Sequence, residues 1–253
     1  MLRQVGATAG DADAPTQGRP SGWGPVRVGG LVPFSTVDWP GRLVAVCFLA
    51  GCPWRCPYCQ NAALRDAPPA RVEDEVPFAE VEALLRDRVG LLDGVVFSGG
   101  EPLAQPGLAR AMRRVRDLGF AVGLHTGGAL PARLREVLPL VSWVGLDVKA
   151  PWDAYERVTG VAGSGDAARE SLQAVLEAGV PMEARTTWHP DLLSVADVRA
   201  IALDLHARGV RAWAIQAYRT AGTDGSLRDA TVYPSDVPAD VAELFDAYEF
   251  RRA

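Results

Sequence analysis

Short apolar runs rich in β-branched residues alternate along the chain with longer stretches whose apolar positions recur every three or four residues. The short runs at residues 43–49, 94–98, 121–126, 143–149, 182–188 and 212–217 read as strands. Between them, residues 78–89 carry Val81, Leu84, Leu85 and Val89 at helical spacing. Residues 108–118, 132–138, 167–178 and 195–208 read the same way. Gly119, Gly179 and Gly209 each close a helix, where a left-handed residue is wanted, and a strand follows within a few residues. Strand–helix alternation over six units implies a parallel sheet with right-handed crossovers. Such a sheet is either open and doubly wound or curled into a partial barrel. In both, ligands bind at the carboxyl ends of the strands. Residues 238–250 read as one terminal helix, and the chain shows no internal repeat and no second domain.

The 253 residues are 48% hydrophobic and 23% charged, enough for one large α/β domain with a well-buried core. The net charge of −5, without clustered Lys and Arg, argues against a nucleic-acid surface. No apolar run approaches the roughly 20 residues that span a bilayer. Residues 1–24, rich in Gly, Ala, Pro, Asp and Thr, lack the apolar region of a signal peptide. They read as a disordered extension ahead of a domain over residues 25–253. Cys47, Cys52, Cys56 and Cys59 crowd into one short stretch, unlike the spread cysteines of a secreted disulfide framework. That clustering points to a reduced, cytoplasmic metal site.

Cys52, Cys56 and Cys59 follow the first strand with the spacing C-x3-C-x2-C. Thiolates suit soft metals, either zinc or an iron–sulfur cluster. A structural zinc site wants a fourth protein ligand. Cys47 alternates with Leu43, Ala45 and Leu49 on one strand face, which makes it a core residue rather than that ligand. His125, His189 and His206 are remote in sequence, and His206 falls in a helix. Three thiolates thus leave one metal position open to a small molecule.

The cysteine loop, with Tyr58 before its last cysteine, resembles the radical S-adenosylmethionine (SAM) superfamily. The strand at 94–98 ends in Gly99-Gly100-Glu101-Pro102, which is similar to that superfamily's second signature. The resemblance runs over residues 29–219. It implies a partial (β/α)6 barrel of the TIM type, with a [4Fe–4S] cluster on Cys52, Cys56 and Cys59. It also implies that SAM binds the open iron through its amine and carboxylate. Gly99, Gly100 and Glu101 would then face the SAM ammonium, because a glycine pair lets backbone approach closely. Tyr58 would lie beside the adenine.

A narrower resemblance rests on Gly30-Leu31-Val32-Pro33-Phe34-Ser35-Thr36-Val37-Asp38-Trp39-Pro40-Gly41, the cysteine loop and Gln60-Asn61. This pattern is similar to activating enzymes for glycyl-radical enzymes, above all the activating proteins of anaerobic ribonucleoside-triphosphate reductase. The pyruvate formate-lyase activating enzymes are near relatives. Their third and fourth strands end Asp-Thr-Asn-Gly and Asp-Leu-Lys; the matching residues here are His125-Thr126-Gly127-Gly128 and Asp147-Val148-Lys149. Thr126, Asp147 and Lys149 carry over, and Lys149, the chain's one lysine, would meet the SAM carboxylate. His125 and Gly127 depart from the pattern, which puts a monovalent-cation site in doubt. Arg185 is a further candidate contact that would need an anion partner. Thr186, His189, Gln216 and Arg219 also lie late on the last two predicted strands.

The resemblance implies reductive cleavage of SAM to methionine and a 5′-deoxyadenosyl radical, after reduction by a flavodoxin- or ferredoxin-type donor. In activating enzymes that radical removes a glycine α-hydrogen from a partner, here the large subunit of an anaerobic ribonucleotide reductase. The chain holds no second cysteine cluster for an auxiliary iron–sulfur centre, which favours a minimal one-cluster enzyme. Activation of another glycyl-radical enzyme such as pyruvate formate-lyase, chemistry on a small metabolite, and a non-catalytic zinc- or iron–sulfur-binding role stay open.

Overall fold

A computed structural model describes residues 26–65, 75–228 and 239–252. One sheet contains eight strands: β1 (Val28–Ser35), β2 (Val44–Leu49), β3 (Gly94–Gly99), β4 (Ala121–Thr126), β5 (Trp143–Asp147), β6 (Met182–Trp188), β7 (Ala212–Ala217) and β8 (Ala247–Arg251). Their spatial order is their sequence order. β1 is antiparallel to β2, and every later pair is parallel. A doubly wound sheet reverses its strand order at a switch point; this one does not, so the chain forms the partial barrel. Among the described residues no ladder joins β1 to β8, which leaves the barrel open between them.

The helices are α1 (Ala62–Arg65), α2 (Phe78–Asp87), α3 (Leu108–Asp117), α4 (Pro131–Val137), α5 (Tyr155–Thr159), α6 (Ser164–Ala178), α7 (Val195–Ala207) and α8 (Ala239–Ala242). Strand residues alternate between two environments, as the two-residue period requires. Leu49, Phe97, Leu124 and Leu146 face outward and join Leu85, Met112, Leu134 and Leu172 from the helices in the main core. Cys47 lies on that same face, fully buried, and burial pushes its thiol up to about 12. The reading of Cys47 as core is borne out.

Facing inward, Val44, Val46, Val96 and Trp143 form a second apolar cluster with Trp39, which enters from the β1–β2 connection. The two indoles stack at 5.5 Å and 17°. Gly123 makes room for this plug, because a Cβ there would press into the Trp39 ring. Full burial of such side chains stabilises by roughly 1.5–3 kcal/mol each. The floor of the barrel is therefore packed, and the interior is free for a ligand above it.

The six strands expected from the sequence are all present, with ends shifted by at most two residues. Gly119, Gly179 and Gly209 take left-handed conformations at φ 90°, 64° and 87°. One expectation is overturned: residues 238–250 do not form one helix. α8 ends at Ala242, and the chain re-enters the sheet as β8, parallel to β7. Val241, Leu244, Phe245 and Tyr248 satisfy a helical period. Tyr248 and Phe250 equally satisfy a strand period, and pairing with β7 decides between them. β1 was not anticipated as a strand, because Gly29, Gly30 and Pro33 interrupt it. The extension over residues 1–24 lies outside the described residues.

Candidate active site

At the carboxyl ends of the strands the inward positions change from apolar to polar. Ser98, His125, Asp147, Arg185, Thr187 and Gln216 succeed the floor residues and line an open cavity of about 1010 Å³. Every residue singled out from the sequence for the cluster or for SAM borders this cavity: Cys52, Cys56, Tyr58, Cys59, Gly99, Gly100, Glu101, Thr126, Asp147, Lys149 and Arg185.

The cysteine loop leaves β2 at Ala50 and returns to helix at α1. All three of its thiols are free, and Cys56 is buried. Burial pushes the Cys52 thiol up to about 12 and also raises Cys56. A bound metal reverses that outcome by taking the thiolate outright. The β3 turn packs against the loop: Gly100 N–H donates to Leu49 O at 2.7 Å and Glu101 N–H to Gly51 O at 2.9 Å. A Cβ on Gly100 would overlap the Gly51 carbonyl oxygen, so only glycine permits this approach.

Glu101 is buried where it borders the cavity. Its carboxylate accepts from Thr126 Oγ1 at 2.7 Å, Gly127 N at 3.0 Å and Leu103 N at 3.0 Å. Burial raises its pKa despite these donors. Glu101 and Thr126 thus tie the end of β3 to the end of β4. Lys149 Nζ pairs with Asp147 at 2.9 Å and lies 5.8 Å from the Trp54 ring centre and 5.7 Å from that of Tyr58. Burial opposes the lysine charge, but Asp147, Tyr58 and Cys56 together outweigh it and hold the pKa well above the ordinary value.

Arg185 finds its anion inside the chain. Its Nε donates to Glu183 at 2.7 Å, and Glu183 also takes two bonds from Arg251 of β8 at 3.0 and 2.8 Å. Burial raises the Glu183 pKa, but the two guanidiniums outweigh it and leave it lowered. The Arg185 guanidinium also lies over Trp143 at 5.1 Å, with Nη1 2.9 Å from His125 Nε2. His125 is therefore a wall contact beside Arg185. His189 lies off the cavity, its Nδ1 accepting from Asp191 N and its Nε2 bonded to Arg228 O. His206 bonds to Leu244 O, a structural role.

Residues the sequence did not single out complete the walls. Trp54 covers Gly127, Asn61 donates to Gly99 O at 3.2 Å, and Arg251 closes the β8 side. Trp54 and Asn61 stand inside the cysteine stretch, so their position was a signal; Arg251 carried none.

Among the described residues, no three His, Cys, Asp or Glu side chains converge on a point where one metal ion would sit. A cubane cluster asks for thiolates around a volume, each on its own iron. The donor set fits that group. Two features beside it fit a further guest. The Tyr58 hydroxyl is buried on the cavity wall with no hydrogen-bond partner among the described residues. The Gly99–Gly100 turn borders the same cavity, held there by an approach to the Leu49 and Gly51 backbone that a Cβ on either glycine would prevent.

A curled parallel sheet with three free thiols after its first parallel strand and a Gly-Gly turn after the next defines the class. Residues 46–192 match the Radical SAM superfamily, and the chain belongs to it. Members of this superfamily use a [4Fe–4S] cluster and SAM. A protein of Methanocaldococcus jannaschii, provisionally named a glycyl-radical enzyme activating enzyme, is 30% identical over 182 residues, 69% of this chain and 73% of its own. The pyruvate formate-lyase-activating enzyme of Clostridium pasteurianum is 31% identical over 206 residues, 78% of this chain and 83% of its own. A 7-carboxy-7-deazaguanine synthase of Hyperthermus butylicus is 32% identical over 182 residues, 63% and 73% of the two chains. Among solved structures, Streptococcus suis SuiB bound to its precursor peptide superposes with a TM-score of 0.63 at 14% identity. The match covers 82% of this chain and 48% of SuiB, and it supports the fold alone.

Proposed function

We propose that this chain activates a glycyl-radical enzyme by reductive cleavage of SAM. One observation carries the reading: the three free thiols, the Gly99–Gly100 turn and the Lys149–Asp147 pair border a single cavity. Cys52, Cys56 and Cys59 would hold the cluster. The chemistry a bound cluster supplies is one-electron reduction, which opens a carbon–sulfur bond of SAM and yields a carbon radical able to remove a hydrogen atom.

The chain's own residues bind, orient and exclude. The Gly99–Gly100 backbone receives the amine end of SAM, and Lys149 supplies the cation for its carboxylate. Asp147 is foremost among the groups that keep that lysine charged in a buried setting. Tyr58 offers a hydroxyl that lacks a partner among the described residues. The Trp39–Trp143 floor keeps water from entering beneath the ligand.

The relatives from M. jannaschii and C. pasteurianum support the activating role. The stretch from Gly30 to Gly41 supports an anaerobic ribonucleotide reductase as the partner, with a flavodoxin or ferredoxin as electron donor. The similarity to 7-carboxy-7-deazaguanine synthase favours a second reading, chemistry on a small molecule in the same cavity.

The test is anaerobic. Reconstituted protein should be brown, bind about four irons and release 5′-deoxyadenosine from SAM with a reductant. Mixed with a candidate reductase, it should generate a glycyl-radical doublet in the EPR spectrum. Cys56→Ala should abolish iron binding and turnover together. Colourless zinc protein that leaves SAM intact would refute the reading. Turnover coupled instead to a small-molecule product would select the second.

A further inference from the structure

We propose that Arg65 is a positioning residue that sets the shape of the cysteine loop, and that residues 219–226, after β7, lock it in place through Asp224. The inference rests on the reading that this loop holds a cluster.

Arg65 spans the loop. Its backbone carbonyl accepts from Cys52 N–H at 3.2 Å, and its Nη1 donates to Cys56 O at 3.1 Å. The Cys56 carbonyl also accepts from Cys59 N–H at 3.1 Å, which closes the C-x2-C turn. One side chain therefore fixes the turn between the second and third cysteines while its own backbone fixes the first. The guanidinium is nearly buried, with the side chain 9% exposed, so its direction depends on what holds its far end.

Asp224 holds that end, accepting from Nη2 at 3.0 Å. It does not act from a stray loop. Ser226 Oγ donates to Pro57 O at 3.2 Å, Ala62 N–H to Gly222 O at 3.3 Å, and Arg219 Nη2 to Gln60 Oε1 at 3.1 Å. Gly222 is left-handed at φ 81°, and a Cβ there would collide with the Gln60 carbonyl oxygen. The segment after the seventh strand is fitted against a loop more than a hundred and fifty residues earlier. Groups that orient metal ligands from behind govern retention of the metal, and charges and hydrogen bonds around a cluster set its potential. A fixed cation beside the Cys56–Cys59 turn would raise that potential.

The test uses reconstituted holoenzyme and needs no turnover. Iron release to a chelator and the cluster midpoint potential are measured under anaerobic conditions for wild type, Arg65→Lys, Arg65→Met, Asp224→Asn and the Arg65→Met/Asp224→Asn double variant. Arg65→Met should lose iron about 10-fold faster and shift the potential downward. Arg65→Lys should restore the potential, because it keeps the charge, but restore retention only in part. In iron retention, Asp224→Asn should fall between wild type and Arg65→Met, and the double variant should match Arg65→Met. Wild-type retention and potential in Arg65→Met, or additive effects in the double variant, would overturn the proposal. If Arg65→Met fails to fold, Asp224→Asn decides, since it leaves Arg65 in place. Failure to cleave SAM with these differences intact would refute the function and leave this inference standing.

Discussion

The two walls of the cavity are held by different means. The wall from β2 to β5 is built from backbone fit: Gly100 against Gly51, Glu101 gathering Thr126 and Gly127, and one lysine with one carboxylate. The wall from β6 to β8 is built from charge, with Glu183 between Arg185 and Arg251 and Glu249 paired to Arg251 in turn. Backbone fit leaves polar atoms free to receive a guest. The charge chain satisfies its own members and makes a stiff surface facing that guest. The first wall is held by close backbone contacts, and the second by ion pairs across strands.

The sharpest way to break this contrast is to remove the central carboxylate of each wall. Glu183→Gln leaves the buried Arg185 guanidinium without its carboxylate, while Arg251 keeps Glu249, and should cost about 3 kcal/mol, the scale for breaking a buried pair. Urea unfolding gives the number, and hydrogen exchange should show β8 opening first. Asp147→Asn removes a carboxylate that is 41% exposed but leaves Lys149, 12% exposed, without it, so its stability cost should lie below that of Glu183→Gln, at about 1–2 kcal/mol. Its effect should appear also as weaker SAM binding, because Lys149 loses the foremost of the groups that keep it charged. Equal stability costs for the two variants would erase the distinction between the walls.

A smaller effect probes the backbone fit itself. Gly100→Ala places a methyl group against the Gly51 carbonyl and should cost about 1–3 kcal/mol, as overpacking does. The strain should reach the neighbouring Cys52, so iron retention should fall with it. Gly30→Ala is the matched control: its Cβ would meet Phe48 at 3.7 Å, an ordinary contact. Melting temperatures and iron content for the pair separate close backbone approach from a general intolerance of alanine.

The same contrast governs what could be read from the sequence. The first wall is local: Cys52 to Cys59 and Gly99 to Glu101 are short motifs on strand ends, so their residues and their shared cavity were legible. Lys149 stood out as the one lysine. The second wall depends on pairing across strands. Glu183 and Arg185 are two apart on β6, but Arg251 reaches them from 68 residues away on a strand whose apolar spacing also fits a helix. Arg185 was singled out as needing an anion, and Glu183 is one the sequence reading did not name. Glu101, expected to face SAM, borders the cavity, and its carboxylate accepts from Thr126, Gly127 and Leu103, which no local motif announces.

His125 sits where the two walls meet and gives the smallest expected effect. Its ring touches Ser98 Oγ at 3.2 Å, Asp38 O at 2.7 Å and Arg185 Nη1 at 2.9 Å. Burial first, then the Arg185 charge, hold its pKa well below the ordinary 6.5, so the folded ring stays neutral in mildly acidic solution. The unfolded ring takes up a proton below about pH 6.5. The unfolded state then binds more protons, and stability falls as pH falls, by at most about 1.4 kcal/mol per pH unit. His125→Gln should flatten that slope between pH 7 and 5. His189 and His206 are unchanged in the variant and cancel in the comparison. Urea midpoints across this range for both proteins measure it. An unchanged slope in His125→Gln would mean that the ring accepts a proton beside Arg185, and that the junction of the walls is more open to water than the packing around it requires.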